Sequence, residues 1–481
     1  MKKIILLFAA AAAVVAARAE GYQVNNLSSK QNGMAHVGTA MKLNSESLWF
    51  NPAAAAFQNE FFDFSAGVTG IAAKATYTSL PDYAGTPQQH FRSDNDLSTP
   101  LYVYANFKPT PWMSAGLVFN TPFGSSMNWG DDWAGAHLIQ SINLKAYNLQ
   151  PTVSFRIGKH VSVGAGLMLT WGSFDLSRAL FPAGAQTNAL LDAVLQQAQP
   201  GAPALFAGAG DRSLMSIALE GKAKMAVGVN LGIMWDINDE WSLGFSYRSK
   251  LRMKVTDGTA ALRMIDDPAI AAALGALNTQ LQLLPDMNRA AVRTELPLPA
   301  TLTWGASFRP VPKWEFSADL QYVLWSAYDQ LDVAFLDEAG NSIYDMPASR
   351  KNYSNTLAFR FGGQYHAFRW MTARMGMYVD ESPVSSDYLN PETPSMTKMA
   401  YTAGLSFRPV RWLSIDLAYG YVRSADPERT GSYPYTNPLL VKTGMAQGLD
   451  AAAAQRAATS AFAGNYTAEA HTFSLGVNLR F

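Results

Sequence analysis

Six basic residues stand two apart along two stretches of the chain: Lys222 and Lys224, then Arg248, Lys250, Arg252 and Lys254. On an extended strand alternate side chains share a face, so each set would line one surface. Pairing the two stretches inward-to-inward through the turn near Asn238 puts Lys224 beside Lys254. Like charges that close repel, so the ladder calls for anions. Two sources are open. Glu220 and Asp257, with Glu315, Asp319 and Asp416 from other strands, could neutralise it as a structural network. Alternatively, the ladder could attract a carboxylate ligand.

The other reactive residue types point away from catalysis. His36, His90, His137, His160, His366 and His471 are scattered without metal-ligand spacing, and there is no cysteine. That removes thiolate ligands, thiol nucleophiles and a disulfide framework. The acids in Asp337-Glu338-Ala339-Gly340-Asn341-Ser342 lack the spacing of a calcium loop. No Ser-His-acid arrangement has local support. Neither an enzyme, nor a metal site, nor a cofactor is expected. With net charge zero, nucleic acid is not expected as a partner.

The elements that would position the ladder are strands. Phe473, Leu475, Val477, Leu479 and Phe481 alternate with Thr472, Ser474, Gly476, Asn478 and Arg480. The same alternation runs through 161–172 and 241–255. Apolar residues on one face and small or polar residues on the other, with charged residues at only 15% and aromatics at 12%, suit a barrel facing lipid outward and a polar lumen inward. No later window is apolar over the ~18 residues a helical span needs. Six short turns, most flanked by aromatics, follow Phe107, Phe155, Asp236, Phe308, His366 and Phe407, and seven longer stretches separate them. Thirteen connections predict fourteen antiparallel strands, with starts near 61, 99, 111, 138, 160, 215, 240, 299, 313, 352, 369, 398, 412 and 470. Two long loops carry helical spacing near 188–197 and 268–277.

Residues 1–19 read as a signal peptide: Lys2 and Lys3, an apolar run, then Ala17-Arg18-Ala19. Residues 20–58 are small and polar but end with the apolar Leu48-Trp49-Phe50 and with Asn51-Pro52-Ala53. A tube of fourteen strands is wider than side chains alone can fill. Residues 20–58 are therefore expected to plug the barrel formed by 59–481. The strand beginning at Pro111 meets Thr121-Pro122-Phe123-Gly124, where a missing donor and a glycine should interrupt pairing near its end.

In this order, Gly21-Tyr22-Gln23, Asn51-Pro52-Ala53, Thr121-Pro122-Phe123-Gly124, Ser246-Tyr247-Arg248-Ser249-Lys250, Leu296-Pro297-Leu298-Pro299-Ala300-Thr301, Trp325-Ser326 and Asp380-Glu381-Ser382-Pro383-Val384 resemble the outer-membrane long-chain fatty acid transporter (FadL/TodX) family over the whole mature chain. The resemblance implies a monomeric barrel in the outer membrane of a Gram-negative bacterium, closed by an N-terminal hatch. It implies capture of a hydrophobic small molecule, a long-chain fatty acid first, at apolar outer loops. Release would be sideways through the wall at Thr121–Gly124. It places a ligand-contacting aromatic at Tyr22 and a carboxylate-binding arginine at Arg178, and Asn51-Pro52-Ala53 at the end of the hatch, meeting the wall near the strand break. A further basic residue of the family falls at Asp332 here, a departure that leaves other hydrophobic substrates open. Expected partners are outer-membrane lipid and the barrel assembly machinery, through the last strand ending in Phe481. A diffusive porin or a surface receptor is the alternative.

Overall fold

The computed structural model describes residues 21–81, 88–281, 290–345, 349–426 and 428–481; the signal-peptide reading of 1–19 lies outside them. Fourteen antiparallel strands close into a barrel. They are β1 (Phe62–Ser79), β2 (Leu101–Thr110), β3 (Met113–Asn128), β4 (Ser141–Ile157), β5 (Val161–Ala179) and β6 (Met215–Asp236). β7 (Trp241–Arg248 and Leu251–Met264) and β8 (Ala291–Leu298 and Thr301–Val311) each come in two pieces. Then follow β9 (Trp314–Val323), β10 (Thr356–Phe368), β11 (Met371–Asp380), β12 (Lys398–Val410), β13 (Leu413–Ser424) and β14 (Thr459–Arg480). β1 pairs with β14 from Asp63↔Arg480 to Ser79↔Gly464, which removes the sheet edge.

Alternation decides which way each face looks. On β14, Phe473 and Leu475 are 60% and 50% exposed, while Thr472, Ser474 and Asn478 are buried. The apolar face is outside, as a bilayer requires of a closed barrel. Aromatic pairs gird the short-turn end: Phe61 with Phe107 at 4.5 Å, Trp241 with Phe308 at 4.3 Å, Trp314 with Tyr365 at 4.5 Å. Helices Ala185–Ala198, Pro268–Leu281, Pro438–Ala446 and Ala451–Ala457 lie in the long loops. The first two share an apolar cluster around Leu191, Leu195, Ile270 and Leu274.

Two strand starts differ from the sequence reading. β8 begins at Ala291 rather than near 299, because Pro297 and Pro299 read as a loop whereas Pro297 sits in register opposite Arg252. β14 begins at Thr459 rather than near 470, its first half pairing with Arg429–Thr436 as well as with β1.

The basic ladder is the larger correction. Arg248 does turn inward, its guanidinium 4.6 Å over the Trp49 ring. Lys222, Lys224, Lys250, Arg252 and Lys254 are exposed, and Leu251, Met253 and Val255 are buried in their place. Two interruptions cause this. β7 breaks at Ser249 and Lys250, and β6 holds one extra residue where the register shifts between Thr170↔Ala226 and Gly172↔Ala223. A slip of one residue sends every following side chain to the other face.

Residues 21–58 lie against inward-facing groups of most of the wall. The Asn32 side-chain amide donates to Thr69 (2.9 Å), Ala35 N–H to Thr402 (3.0 Å), and Gly38 and Thr39 N–H to Asp319 (2.9 and 3.1 Å). Ser154, Ser162 and Ser242 donate to the carbonyls of Pro52, Ala53 and Ala40. Asn51-Pro52-Ala53 thus meets β4, β5 and β6, with Asn51 donating to Ile233 O at 3.1 Å. It does not meet the interrupted part of β3; small Ser and Gly positions on β4–β6 leave room for its backbone there. Buried charges are matched: Lys30 with Glu46 at 3.1 Å, and Glu46 with Ser28 and Ser65, both at 2.6 Å.

At Gly33 and Gly404 two backbones meet without side chains, and a Cβ on Gly404 would stand 3.0 Å from Gly33 Cα. Gly404→Val should therefore push residues 28–36 off the wall. Cleavage at Lys30 by trypsin in the purified protein should speed up at least tenfold. Gly70→Ala, whose Cβ meets only ordinary contacts, should leave the rate at wild type.

Candidate functional site

β2 ends at Leu101, but β3 continues to Asn128. Above Tyr102↔Asn120 the β2-side edge of β3 has no barrel partner, whereas its β4 side stays paired up to Asn128↔Ser141. Thr121 and Pro122 form a bulge inside the strand, between the Asn120 and Phe123 pairs, rather than its end as the sequence suggested. Pro122 has no N–H to leave unpaired, and the extra residue re-aims Phe123 inward to 8% exposure.

The freed edge is taken by the N-terminal strip. Val24 N–H donates to Pro122 O at 2.9 Å and Gly124 N–H to Tyr22 O at 3.0 Å, a short antiparallel bridge centred on Gln23 and Phe123. Along this strip Tyr22 is turned to one space, and Gln23 and Val24 border another. Both spaces are cavities. The outer one, about 650 Å³, is bounded by Gln23, Val24, Leu101, Thr121, Gly124 and Lys145, so it runs along the gap in the wall. The inner one, about 70 Å³, is bounded by Tyr22, Phe174, Leu176, Met253, Val255 and Leu296, and is almost wholly apolar. Ser125, Leu144 and Thr393 line both.

Tyr22 is buried, and its hydroxyl donates to Pro297 O. Trp325 and Tyr328 stand edge-on to its ring at 4.9 and 5.6 Å. Such edge-to-face pairs each add about 1 kcal/mol beyond burial. Arg178 stands two and four residues beyond Leu176 and Phe174 on the same face of β5, but it does not line the inner cavity. Its charge acts on His137, in the loop before β4. Burial, with Arg178 nearby, pushes the His137 imidazole down to about 3. The ring packs 4.4 Å from Tyr435. Asp332 is exposed, between the cavity-lining Leu331 and Val333.

Two site residues escaped the sequence. Glu392 lines the inner cavity, and Lys351, fully buried, pairs with it at 2.6 Å and lies 6.0 Å over the Tyr328 ring. Both come from irregular segments, where neither period nor motif singles out one residue. Alternation along 241–255 puts Met253 and Val255 on the lipid face, and the break in β7 turns them inward.

Fold and site define a membrane β-barrel with an apolar cavity beside an incompletely paired stretch of its wall. The chain belongs to the outer membrane protein transport protein family (OMPP1/FadL/TodX), whose profile matches residues 9–481. It is 24% identical over 442 residues to the long-chain fatty acid transport protein of Salmonella typhi, covering 86% of this chain and 90% of that one. It is 22% identical over 384 residues to outer membrane protein P1 of Haemophilus influenzae, covering 79% and 74%. Its fold is that of a Pseudomonas aeruginosa FadL homologue (TM-score 0.69, 20% identity, 96% and 100% covered). The P. putida toluene transporter TodX shares it too (TM-score 0.60, 15% identity, 96% and 99% covered). The protein is thus an outer-membrane transport protein for hydrophobic compounds in a Gram-negative bacterium.

Removing one member of a buried ion pair strands the other, at a cost of about 3 kcal/mol. Lys351→Met should lower the unfolding free energy read from urea titration by that amount, and Lys351→Met with Glu392→Leu should recover most of it. The His137 prediction concerns pH. Its folded pKa lies below the unfolded value of about 6.5, so it favours the folded state above 6.5, and that contribution is lost as pH falls towards 3. His137→Gln should reduce the loss of thermal stability between pH 7 and pH 4, read as Tm by differential scanning calorimetry.

Proposed function

We propose that this protein carries long-chain fatty acids from the long-loop side into the cavity beside Tyr22 and releases them sideways into the membrane through the gap beside β3. The observation that carries the reading is the arrangement of the two cavities: an apolar pocket and a wall opening share Ser125, Leu144 and Thr393 and are parted by the strip Tyr22–Val24. Two backbone hydrogen bonds hold that strip at the edge of β3, so its displacement joins the two spaces at the cost of those bonds and the Tyr22 packing.

Residues 20–58 act as the hatch in this reading. Their anchoring on β4–β6 and β12 keeps most of the segment fixed while residues 21–26 shift. The fatty acid tail takes the place of Tyr22 among Phe174, Leu176, Met253 and Leu296. Arg178 attracts the carboxylate on its way in, and Lys351 receives it, displacing Glu392. The helical loops Ala185–Ala198 and Pro268–Leu281 present the apolar surface for capture. The pathway lies within one chain, so a monomer suffices. The strand ending in Phe481 is the element offered to the assembly machinery.

One observation favours a second reading. Lys351 is already neutralised by Glu392, which suits an uncharged hydrophobe such as toluene. Uptake by cells separates the two. On the fatty-acid reading, Lys351→Gln weakens binding of oleate at least fivefold and leaves toluene unchanged; equal effects on both would discard the carboxylate role. Gly124 has only Leu144 O and Val24 within 4 Å of a built Cβ. Gly124→Trp should fill the opening and cut labelled oleate uptake about tenfold. Wild-type uptake by this variant would eliminate the lateral route. Large ion conductance of the wild type in planar bilayers would point to a diffusive porin.

A further inference from the structure

The basic residues that turn out of the lumen stand on the outer wall around the loop-side edge of its apolar band. On β6 the exposed apolar positions run from Trp235 to Met225. Ten residues at ~3.3 Å each, tilted about 40°, span roughly 25 Å, the height of the lipid-facing band of such barrels. Lys224 and Lys222 follow directly, both exposed. On β7, Lys254 stands level with Lys224, and Arg252 and Lys250, also exposed, lie two and four residues lower, beside the top of the apolar band. These positions lie towards the long loops, hence at the headgroups of the outer leaflet.

Register ties the row together. Lys145 on β4 pairs with Ser173 on β5, which pairs with Lys222 on β6. Ala223 pairs with Val255, so Lys224 and Lys254 stand one step below it on neighbouring strands. Like charges so placed repel. Glu295 reaches Arg252 at 3.1 Å and Lys254 at 3.6 Å, through side chains at least one-third exposed, contacts worth little in solvent. Among the described residues, Lys145, Lys222, Lys224 and Lys250 have no carboxylate within 4 Å. The other acids of this face, Asp175, Glu220 and Asp257, lie farther along their strands towards the loops.

We propose that this row binds the phosphorylated disaccharide headgroup of an outer-leaflet glycolipid, lipid A. The cations span four adjacent strands, about 14 Å at the usual strand spacing. That breadth fits a headgroup with a phosphate at each end and exceeds what the single phosphate of a phospholipid occupies. Ammonium groups suit phosphate as compact charges, and the acyl chains lie against the apolar band directly below. Lys145 also borders the lateral opening, so the bound lipid flanks the gap.

The test is native mass spectrometry of the full chain in detergent, titrated with bis-phosphorylated lipid A. The wild type should retain one lipid A. Lys222→Gln, Lys224→Gln and Lys254→Gln combined should reduce occupancy at least fivefold, while the same three positions as Arg should keep it. Phosphate-free lipid A and dimyristoyl phosphatidylglycerol should both be retained at least fivefold less by the wild type. These two ligand arms need no variant, so they stand if the Gln combination fails to fold, which heat-shifted gel mobility checks. Equal retention by the Gln variant, or equal retention of phosphate-free lipid A, overturns the proposal. Phosphatidylglycerol bound as well as lipid A also overturns it, leaving only a general anionic surface.

Discussion

A tube of fourteen strands has an interior that its own side chains cannot fill, yet its polar lumen groups need partners once they are shut away from water. Residues 21–58 supply them. Asp319 accepts three hydrogen bonds from Gly38 and Thr39. The serines of β4, β5 and β7 find carbonyls of the N-terminal segment. Lys30 balances Glu46 and lies 3.9 Å from Asp416. The segment's own irregular backbone, with Ala35, His36 and Asn44 at positive φ, is tolerated because the wall satisfies it. Wall and segment are therefore one polar network, and the rest of the architecture follows from where that network is dense and where it is thin.

It is thin at the beginning. Tyr22–Val24 is held by an edge of β3 and by aromatic packing, without an ion pair, and it separates two cavities. The edge exists because β2 stops at Leu101 while β3 runs on. An exposed strand edge in a membrane wall is untenable unless covered, and a short strip of the same chain covers it. Covering by a few backbone bonds is reversible in a way that closure by barrel strands is not. That asymmetry gives the fold its proposed route sideways.

Charge is sorted by the same geometry. Cations that remain inside, Arg248, Arg360 and Arg374, are matched by a ring or by acceptors such as Trp49, Gln321 and Ser406. Those outside gather around the loop-side edge of the apolar band. One interruption in β7 and one extra residue in β6 separate the two populations, and they also bring Met253 and Val255 to the pocket beside Tyr22. The same slip that removes positive charge from the lumen makes the pocket apolar.

Much of this barrel is written along the chain. Alternation at 472–481, the aromatic turns and the spacing of long loops determine the strand number, because a pleated strand has a strict period of two and a bilayer demands one apolar face. The polar, non-strand composition of 20–58 marks that segment as separate from the wall. Tertiary structure alone decides which face survives an interruption. Stretches such as Lys222-Ala223-Lys224 and Ser249-Lys250 alternate equally well in either phase, and only pairing with the neighbouring strand registers the slip. It alone decides, too, that Lys351 and Glu392 meet at 2.6 Å from separate loops, and that Asn51-Pro52-Ala53 docks on β4–β6. Those contacts join residues far apart in the chain, and no local period encodes the closure of the barrel that brings them together.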